Sequence, residues 1–503
     1  FGIMLVPTLL MGASFPVVSR IWTRSFRQVG RGVGDVNAAN SFGAFAGSLA
    51  AGLLLIPLFG TEGTFRLLGG LNLLVGIAVI AVNPLLRPGR KAGTLALAAA
   101  AAAVVLASPG EVMRELSRPS QPGSSLLYYE EGAEGIITVT GKQDGYRKML
   151  LNGGGQVPSE YGSFQLFRLL GHLPMLLHPD PRDVLVVALG GGIALGAAAQ
   201  HDADRIQCVE LVPEVVEAAR REFGPYNHRI LERLGDFPIE LIVDDGRNFL
   251  LRTGGRYDVI TGDATHPTST DSWLLYTREF YELCRSRLKP GGILVQWLPF
   301  HGLPVADFKT VLRTFQSVFP HASLWRTNNY AIMVGTLDPL SISYSRLREK
   351  YASPRVRESL EEVDLDLPFA VLGCFFFGSD AYRRYVGEGP LNTDDHPHLS
   401  FVGPRGFHAR TWMVLVDLAR EIARHPVELL PWLDRADPAW TPGRGDTLAV
   451  WFRARESVIE GDVLRFRKQR REALHAYGRA LRLNPLEWTA AYYGDLLYEL
   501  LNR

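Results

Sequence analysis

Apolar runs dominate the first 110 positions, at 1–18, 38–59, 67–82 and 94–107. The first two approach or reach the ~20 residues that cross a bilayer, and the last two are shorter. Three or four membrane spans are therefore expected over 1–110. Small residues Gly43, Ala44, Gly47, Ala51 and Gly52 line the second run, a composition that suits close helix packing in lipid. Residues 111–125, rich in Pro, Ser, Gly and charge, read as a linker. From 126 the period changes. Alternation at 136–140, a turn at 141–145 and a short strand at 147–151 predict a small β cap, which an amphipathic helix near 161–173 closes by 175. Over 176–404, short apolar runs at 184–187, 206–211, 239–243, 257–261 and 293–297 alternate with helical stretches at 193–200, 213–223 and 280–288. That alternation predicts an α/β domain: a Rossmann-like, methyltransferase-type parallel sheet with helices on both faces. Residues 405–503 read as a helical tail.

Composition narrows the function classes. A net charge of +1 across 503 residues gives no reason to expect nucleic acid as a partner. Cys208, Cys284 and Cys374 are far apart and show no CxxC spacing, so neither a disulfide framework nor a zinc site is indicated. Arg20, Arg24, Arg27 and Arg31 stand against Asp35 in the segment 19–37, and Arg87, Arg90 and Lys91 follow the third run. Both segments are expected on the cytoplasmic side. The run 94–107 is Ala-rich and only 14 residues long, so we read it as a surface helix that leaves the polar part of the chain inside. The chain opens at Phe1 within an apolar run and is expected to be a fragment whose earlier spans are missing. It reads as an integral membrane protein of a bacterial inner membrane.

The chemistry centres on 183–213. A strand is followed by the turn Gly190-Gly191-Gly192, a helix, and a second strand ending on Glu210, 18 residues beyond the last loop glycine. An acid at about that spacing holds ribose hydroxyls in nucleotide folds, and glycines let a ligand approach the backbone. A nucleoside is the expected ligand. NAD stays open, because a helix amino terminus also suits a pyrophosphate. Asp244-Asp245-Gly246 follows the third strand and Asp263 the fourth, so both fall where ligands bind in such sheets.

The order of motifs resembles the spermidine synthases, the polyamine aminopropyltransferases. LNGGGQ at 151–156, HLP, the glycine turn, VEL with Glu210, DDGRNFL, RYDVITGDATHP, LLYTREFYELCRSRLKPGG and QWLP recur in the family's order over roughly 126–403. The chain is most similar to bacterial forms fused behind a multi-span region like that of major-facilitator transporters, which MGASFP and NAANSFGAFAGSLAAGLLLIPLFG resemble. The resemblance implies aminopropyl transfer from decarboxylated S-adenosylmethionine to an amine such as putrescine, with no tightly bound cofactor. It places Glu210 on the ribose, Asp245 and Gly246 beside the adenine, and Gln156, Gly190 and Gly192 against the donor. It makes Asp263 the base for the incoming amine and puts Tyr276 in the substrate site. The loop 264–275 would close over the cleft.

Departures from the family limit these expectations. The aspartate of the GGGDG turn is missing, His266 replaces the second acid of DxxD, and the YHE segment is replaced near Phe164-Gln165-Leu166. Negative charge is thus lost on the amine side, where His266 is either a substrate contact or a packed loop residue. Methyl transfer from intact S-adenosylmethionine remains an alternative, as does a non-catalytic polyamine- or nucleoside-binding accessory of a transporter. In LNTDDHPHL, Asp394, Asp395, His396 and His398 crowd a Pro-containing turn, and the turn reading is preferred over a metal site. In the tail, 471–485 and the helix after it resemble one tetratricopeptide (TPR) repeat, whose apolar face needs a neighbour. Residues 441–460 are the candidate for it. A homodimer and a protein partner for this TPR-like tail are both compatible with the sequence.

Overall fold

The computed structural model describes residues 2–23, 25–82, 87–107, 111–263, 266–269, 272–402, 406, 409–424 and 432–502. Two units are distinguished: residues 1–118 with 129–136, and residues 119–128 with 137–503.

The first unit is mainly helical. Gly2–Trp22 is followed by Val29–Ala50, which runs through a single π turn at Ala51–Leu55 into Ile56–Val82, and then by Pro88–Ala107. Among the described residues one helical stretch, Val29–Val82, contains a segment long and apolar enough to cross a membrane. The three or four separate spans expected from the sequence are not shown. The runs at 38–59 and 67–82 fall on two helices that meet at a kink, where Gly60, at φ 69° and ψ 172°, departs from helical geometry. At that break the freed Thr61 N–H donates to the Glu131 carboxylate of the same unit, as a backbone donor away from water requires. The arginine-bearing loop expected at 19–37 is also mostly helical.

The strands β1 (Ser124–Gly132), β2 (Gly135–Lys142), β3 (Arg147–Leu151) and β4 (Gly154–Pro158) make a sheet in that order. β2–β3 and β3–β4 are antiparallel. Residues 129–136, the end of β1, the turn after it and the start of β2, are grouped with the first unit.

The large sheet holds β5 (Asp183–Val187), β6 (Arg205–Glu210), β7 (Ile239–Val243), β8 (Tyr257–Gly262), β9 (Leu288–Pro299), β10 (His321–Thr327), β11 (Tyr330–Thr336) and β12 (Phe375–Gly378). Their order is β12-β10-β11-β9-β8-β5-β6-β7. The five strands from β7 to β9 are mutually parallel. β11, β10 and β12 add on antiparallel, so the sheet is mixed and not parallel throughout. The physical reason is the two-residue connection Asn328-Asn329, with Asn328 at φ 40°, because so short a link can only return the chain antiparallel.

Side chains of β5 alternate between two cores. Val184 and Val186 pack into one, and Leu185 and Val187 into the other, which is why this strand reads as an unbroken apolar run. From β5 the chain moves one way to β6 and β7, then returns to β8 and β9 on the other side. In sheets of this kind such a reversal is where ligands bind, at the carboxyl end of β5.

The tail packs as helices Thr411–Arg424, Pro442–Phe466, Arg470–Leu483 and Trp488–Asn502. Pro442–Phe466 lies against Arg470–Leu483 so closely that a Cβ on Gly461 would stand 2.5 Å from the Tyr477 ring. The tail also engages its own α/β domain, with Tyr492 stacked on Tyr161 at 4.0 Å between ring centres.

Candidate active site

The turn after β5 is built from strained backbone and small residues. Ala188, Gly190 and Gly192 all have positive φ, at 69°, 53° and 73°. Gly192 in the left-handed region starts the helix Ile193–Ala198. Space matters as much as conformation at Gly190, where a Cβ would stand 3.1 Å from the Asp263 Oδ2 and 3.2 Å from Val157 of β4. The turn is held from behind by Asn227, a fully buried side chain whose Nδ2 donates to the Gly191 carbonyl at 3.0 Å.

Glu210, at the end of β6, reaches back to this turn. Its carboxylate accepts the Leu189 N–H at 2.8 Å and the Val212 N–H at 3.0 Å, and it is 6% exposed. Burial pushes its carboxyl above the usual range, against the pull of those backbone N–H groups. Two accepted hydrogen bonds leave further lone pairs for ligand hydroxyls.

Asp263 follows β8, placed by its N–H donating to the Val187 carbonyl at 2.9 Å. It is 8% exposed, and its Oδ2 has no hydrogen-bond partner among the described residues. Burial raises its carboxyl well above the ordinary range, and the nearby charge of Glu210 raises it further. A buried, unpartnered carboxylate oxygen facing a glycine turn is costly without a ligand. The residue types suit a cationic nucleoside: acids for ribose hydroxyls and positive charge, and a turn with no side chains in the way.

Asp245 and Gly246 close the same edge. Gly246 starts the helix Gly246–Arg252 directly against Val187, where a Cβ would meet Cγ1 at 2.7 Å. Asp245 caps that helix by accepting the Asn248 N–H at 2.7 Å and remains half-buried. Asp244 turns away and pairs with Arg252. Gln156 sits at a bulge in β4, where Gly155 pairs with Leu150 and Val157 with Met149, leaving Gln156 as the extra residue. A bulge re-aims the side chain it carries.

Tyr276 ends the short helical turn Ser272–Tyr276 and is fully buried, with its hydroxyl donating to the Trp297 carbonyl at 3.4 Å. Burial raises its phenol first, and the charge of Asp263 adds to the shift, so the two residues lie within electrostatic reach. Asn392, fully buried, holds this turn: its Nδ2 donates to the Trp273 carbonyl at 3.3 Å and the Tyr276 carbonyl at 3.1 Å, while its Oδ1 accepts the Leu399 N–H. Gln296 adds a hydrogen bond to the Leu275 carbonyl at 3.0 Å.

His266 has both ring nitrogens engaged. Its Nε2 donates to the His301 carbonyl at 3.0 Å, and its Nδ1 accepts from the Thr268 hydroxyl at 2.8 Å. Burial lowers its imidazole, so it stays neutral near pH 7. Its ring lies 5.3 Å from that of His301, which in turn stands edge-on to Tyr330. Of the loop 264–275 read as a lid, positions 264, 265, 270 and 271 lie outside the described residues, as does the 404/405 boundary of the tail.

The residues of LNTDDHPHL have separate partners: Asn392 as above, Asp394 with Arg247, and His398 Nε2 with Asp307 at 2.7 Å. Asn227 and Asn392 were not singled out from sequence. An asparagine flanked by Tyr and His, or by Leu and Thr, carries no signal of the carbonyls it will meet.

Residues 164–345 match the family model described as the spermine/spermidine synthase domain. Polyamine aminopropyltransferase 2 of Pseudomonas aeruginosa is 33% identical over 184 residues, 36% of this chain and 52% of that protein. The polyamine aminopropyltransferase of Thermotoga maritima is 27% identical over 228 residues, 41% of this chain and 76% of its own length. That of Oceanobacillus iheyensis is 30% identical over 300 residues, 57% of each chain. A crystal structure of spermidine synthase with the transition-state analogue AdoDATO is 22% identical and covers 47% of this chain and 88% of its own, with a TM-score of 0.39. The chain spans about half the length of the first of these relatives.

Proposed function

We propose that this chain is a membrane-attached aminopropyltransferase that moves the aminopropyl group of decarboxylated S-adenosylmethionine to an amine. The observation that carries this reading is the buried, unpartnered Asp263 Oδ2 facing Gly190, with Glu210 close enough to raise its carboxyl. The match of 164–345 to the spermine/spermidine synthase domain, and relatives named polyamine aminopropyltransferase, support the reaction class. The apolar stretch Val29–Val82 supports membrane attachment, and the arginines of 19–37 with Arg87, Arg90 and Lys91 are the reason for assigning the α/β domain to the cytoplasm.

In this reading Glu210 holds the ribose hydroxyls, Asp245 and Gly246 flank the adenine, and Gln156 with the turn Gly190–Gly192 positions the donor. Asp263 attracts the acceptor ammonium and takes its proton. That step is needed because only a neutral amine can attack the methylene beside the sulfonium. An amine with a pKa near 10.4 is about 3.4 units from neutral pH, roughly 4.6 kcal/mol of deprotonation cost. General base catalysis contributes typically ~10²- to 10⁴-fold, and orientation in the crevice supplies much of the rest. The new C–N bond forms as the C–S bond breaks, leaving the neutral thioether nucleoside. Tyr276 forms the buried floor beside Asp263. His266 is neutral and offers no second carboxylate, so the acceptor site favours an amine with one cationic end over a fully protonated polyamine.

Calorimetric titration with decarboxylated and intact S-adenosylmethionine, followed by turnover with putrescine and with a monoamine, tests the proposal. Turnover that requires the decarboxylated donor is the expected result. A methylated product would replace aminopropyl with methyl transfer, and tight binding without product would mark a non-catalytic accessory. Asp263→Asn is expected to lower kcat by ~10²-fold or more with donor affinity nearly intact; equal loss of both would remove the base from that position.

A further inference from the structure

Away from the crevice, the tail and the large sheet enclose a cavity of about 30 Å³ whose walls include Arg326 of β10, Arg455 of Pro442–Phe466, Glu487, Thr489, Trp451 and Trp488. Arg326 and Arg455 are each 8% exposed. Arg326 pairs with Asp462, which is also bound by Arg465 at 3.2 Å and the Tyr477 hydroxyl at 2.6 Å. Arg455 has no carboxylate partner among the described residues. Its Nη1 donates to the Phe375 and Phe376 carbonyls at 2.9 and 3.3 Å, and its cation lies over the Phe376 and Phe452 rings. The Nε of both arginines is buried with no acceptor among the described residues. Neither the Nη1 of Arg326 nor the Nη2 of Arg455 has an acceptor among them.

The facing acid does not balance these charges. Glu487 accepts the Ala490 N–H at 2.8 Å and makes no ion pair with either arginine. Burial pushes its carboxyl up to about 7, so near neutral pH it carries only part of a charge. Burial, together with repulsion from Arg326, lowers Arg455 to about 10 against the weaker pull of Glu456, which forms no ion pair with it among the described residues. A buried cation without a counter-charge is strongly unfavourable, and the remedy available here is an ion from solution.

We propose that this cavity is a binding site for one small monovalent anion of the halide class, held between Arg326 and Arg455 and clamping the tail helices onto β10. Size selects the class. About 30 Å³ admits one or two bodies of water size, too little for a tetrahedral dianion with its four oxygens. The indole walls favour a weakly hydrated ion such as chloride or bromide over a strongly hydrated one. The cavity has neither Glu210 nor Asp263 in its walls and does not depend on the reaction assigned above.

The test uses the full chain in sodium gluconate exchanged stepwise for sodium bromide at constant ionic strength. The expected result is a saturable rise of roughly 2–4 °C in the unfolding midpoint, as for any ligand that binds only the folded chain. In Arg455→Gln the rise is expected to vanish. A midpoint indifferent to bromide, or an equal rise in Arg455→Gln, overturns the proposal. Should that variant not fold, crystals of the wild-type chain in bromide decide: an anomalous peak between Arg326 and Arg455 supports the site, whereas a water there, or peaks at the surface only, refutes it.

Discussion

At the scale of single residues, Asp263 and Glu210 share one charge environment. A carboxyl raised in the folded chain contributes stability that is fully present below its unfolded pKa and is lost as pH rises through its raised value. For Asp263 the shift is upward, so the bare crevice favours its protonated form over part of the range above the usual carboxylate value. A cationic acceptor amine reverses that preference. Binding of the amine near pH 6 to the chain loaded with the thioether nucleoside is therefore expected to release up to about one proton, seen as a calorimetric enthalpy that depends on the buffer's ionisation heat. The dependence should shrink in Asp263→Asn, and an unchanged dependence would assign the proton elsewhere. Gly246→Ala is a second residue-scale case. Its Cβ would overlap Val187 Cγ1, and a loss of about 1–3 kcal/mol in urea unfolding is expected. Because Asp245 adjoins it, donor affinity should fall as well.

At the scale of elements, the site depends on how turns are pinned from behind. Ser272–Tyr276 carries Tyr276 and is held by two hydrogen bonds from Asn392, which also accepts the Leu399 N–H and whose own N–H donates to the Thr314 hydroxyl at 2.9 Å. Asn392→Ala would strand those carbonyls and an N–H in the core, at a cost of roughly 2–4 kcal/mol measured by chemical unfolding. Donor binding through Glu210 should survive, since that acid hangs on a different turn, while kcat falls. This division also marks what was legible in the sequence. The unit from β5 to β6 declares itself because a strand buried on both faces is a continuous apolar run, and because the glycine turn and the terminal acid sit at fixed spacing. Asp263 and Tyr276 could be placed by motif order. The antiparallel edge could not, since β10, β11 and β12 pair through contacts that local periodicity does not encode, and the Asn328-Asn329 link lacks the usual glycine. The kink between the apolar runs was hidden in another way: hydropathy does not report the backbone between two segments, and Gly60 breaks the helix at φ 69° and ψ 172°. Asn227 and Asn392 stayed hidden because a buried amide is defined by its partners, and those lie 36 and 116 residues away.

At the scale of the whole second unit, distant segments meet in a buried polar cluster that the proposed chemistry does not use. Arg168 and His172 come from the helix Tyr161–Leu177, His201 and His228 from the connections that follow β5 and β6, and Ser359 from Pro354–Glu361. His172 Nδ1 lies 2.9 Å from His201 Nε2, and the Ser359 hydroxyl lies 2.8 Å from both His172 Nε2 and His228 Nε2. One proton arrangement satisfies these contacts with every imidazole neutral: His201 donates to His172, His172 to Ser359, and Ser359 to His228. Burial lowers all three, His201 and His228 to about 3, with further repulsion from Arg168, Lys350 and Arg355 outweighing the single acid Glu362 beside His228. The unfolded chain would protonate the same residues near pH 6.5. It therefore binds more protons than the folded chain between about pH 3 and 6.5, and stability must fall as pH drops through that window. Each histidine contributes at most roughly 1.4 kcal/mol per pH unit. The expected outcome is an unfolding free energy from which this cluster subtracts nothing above pH 7 and progressively more below 6, against the opposite drift from the raised carboxyls of Glu210, Asp263 and Glu487, measured by urea titration at several pH values. His201→Asn should be less stable at pH 7 yet show a shallower decline, because one of the proton acceptors unique to the unfolded state is gone. A decline parallel to that of the wild type would mean that the acid sensitivity arises outside this cluster.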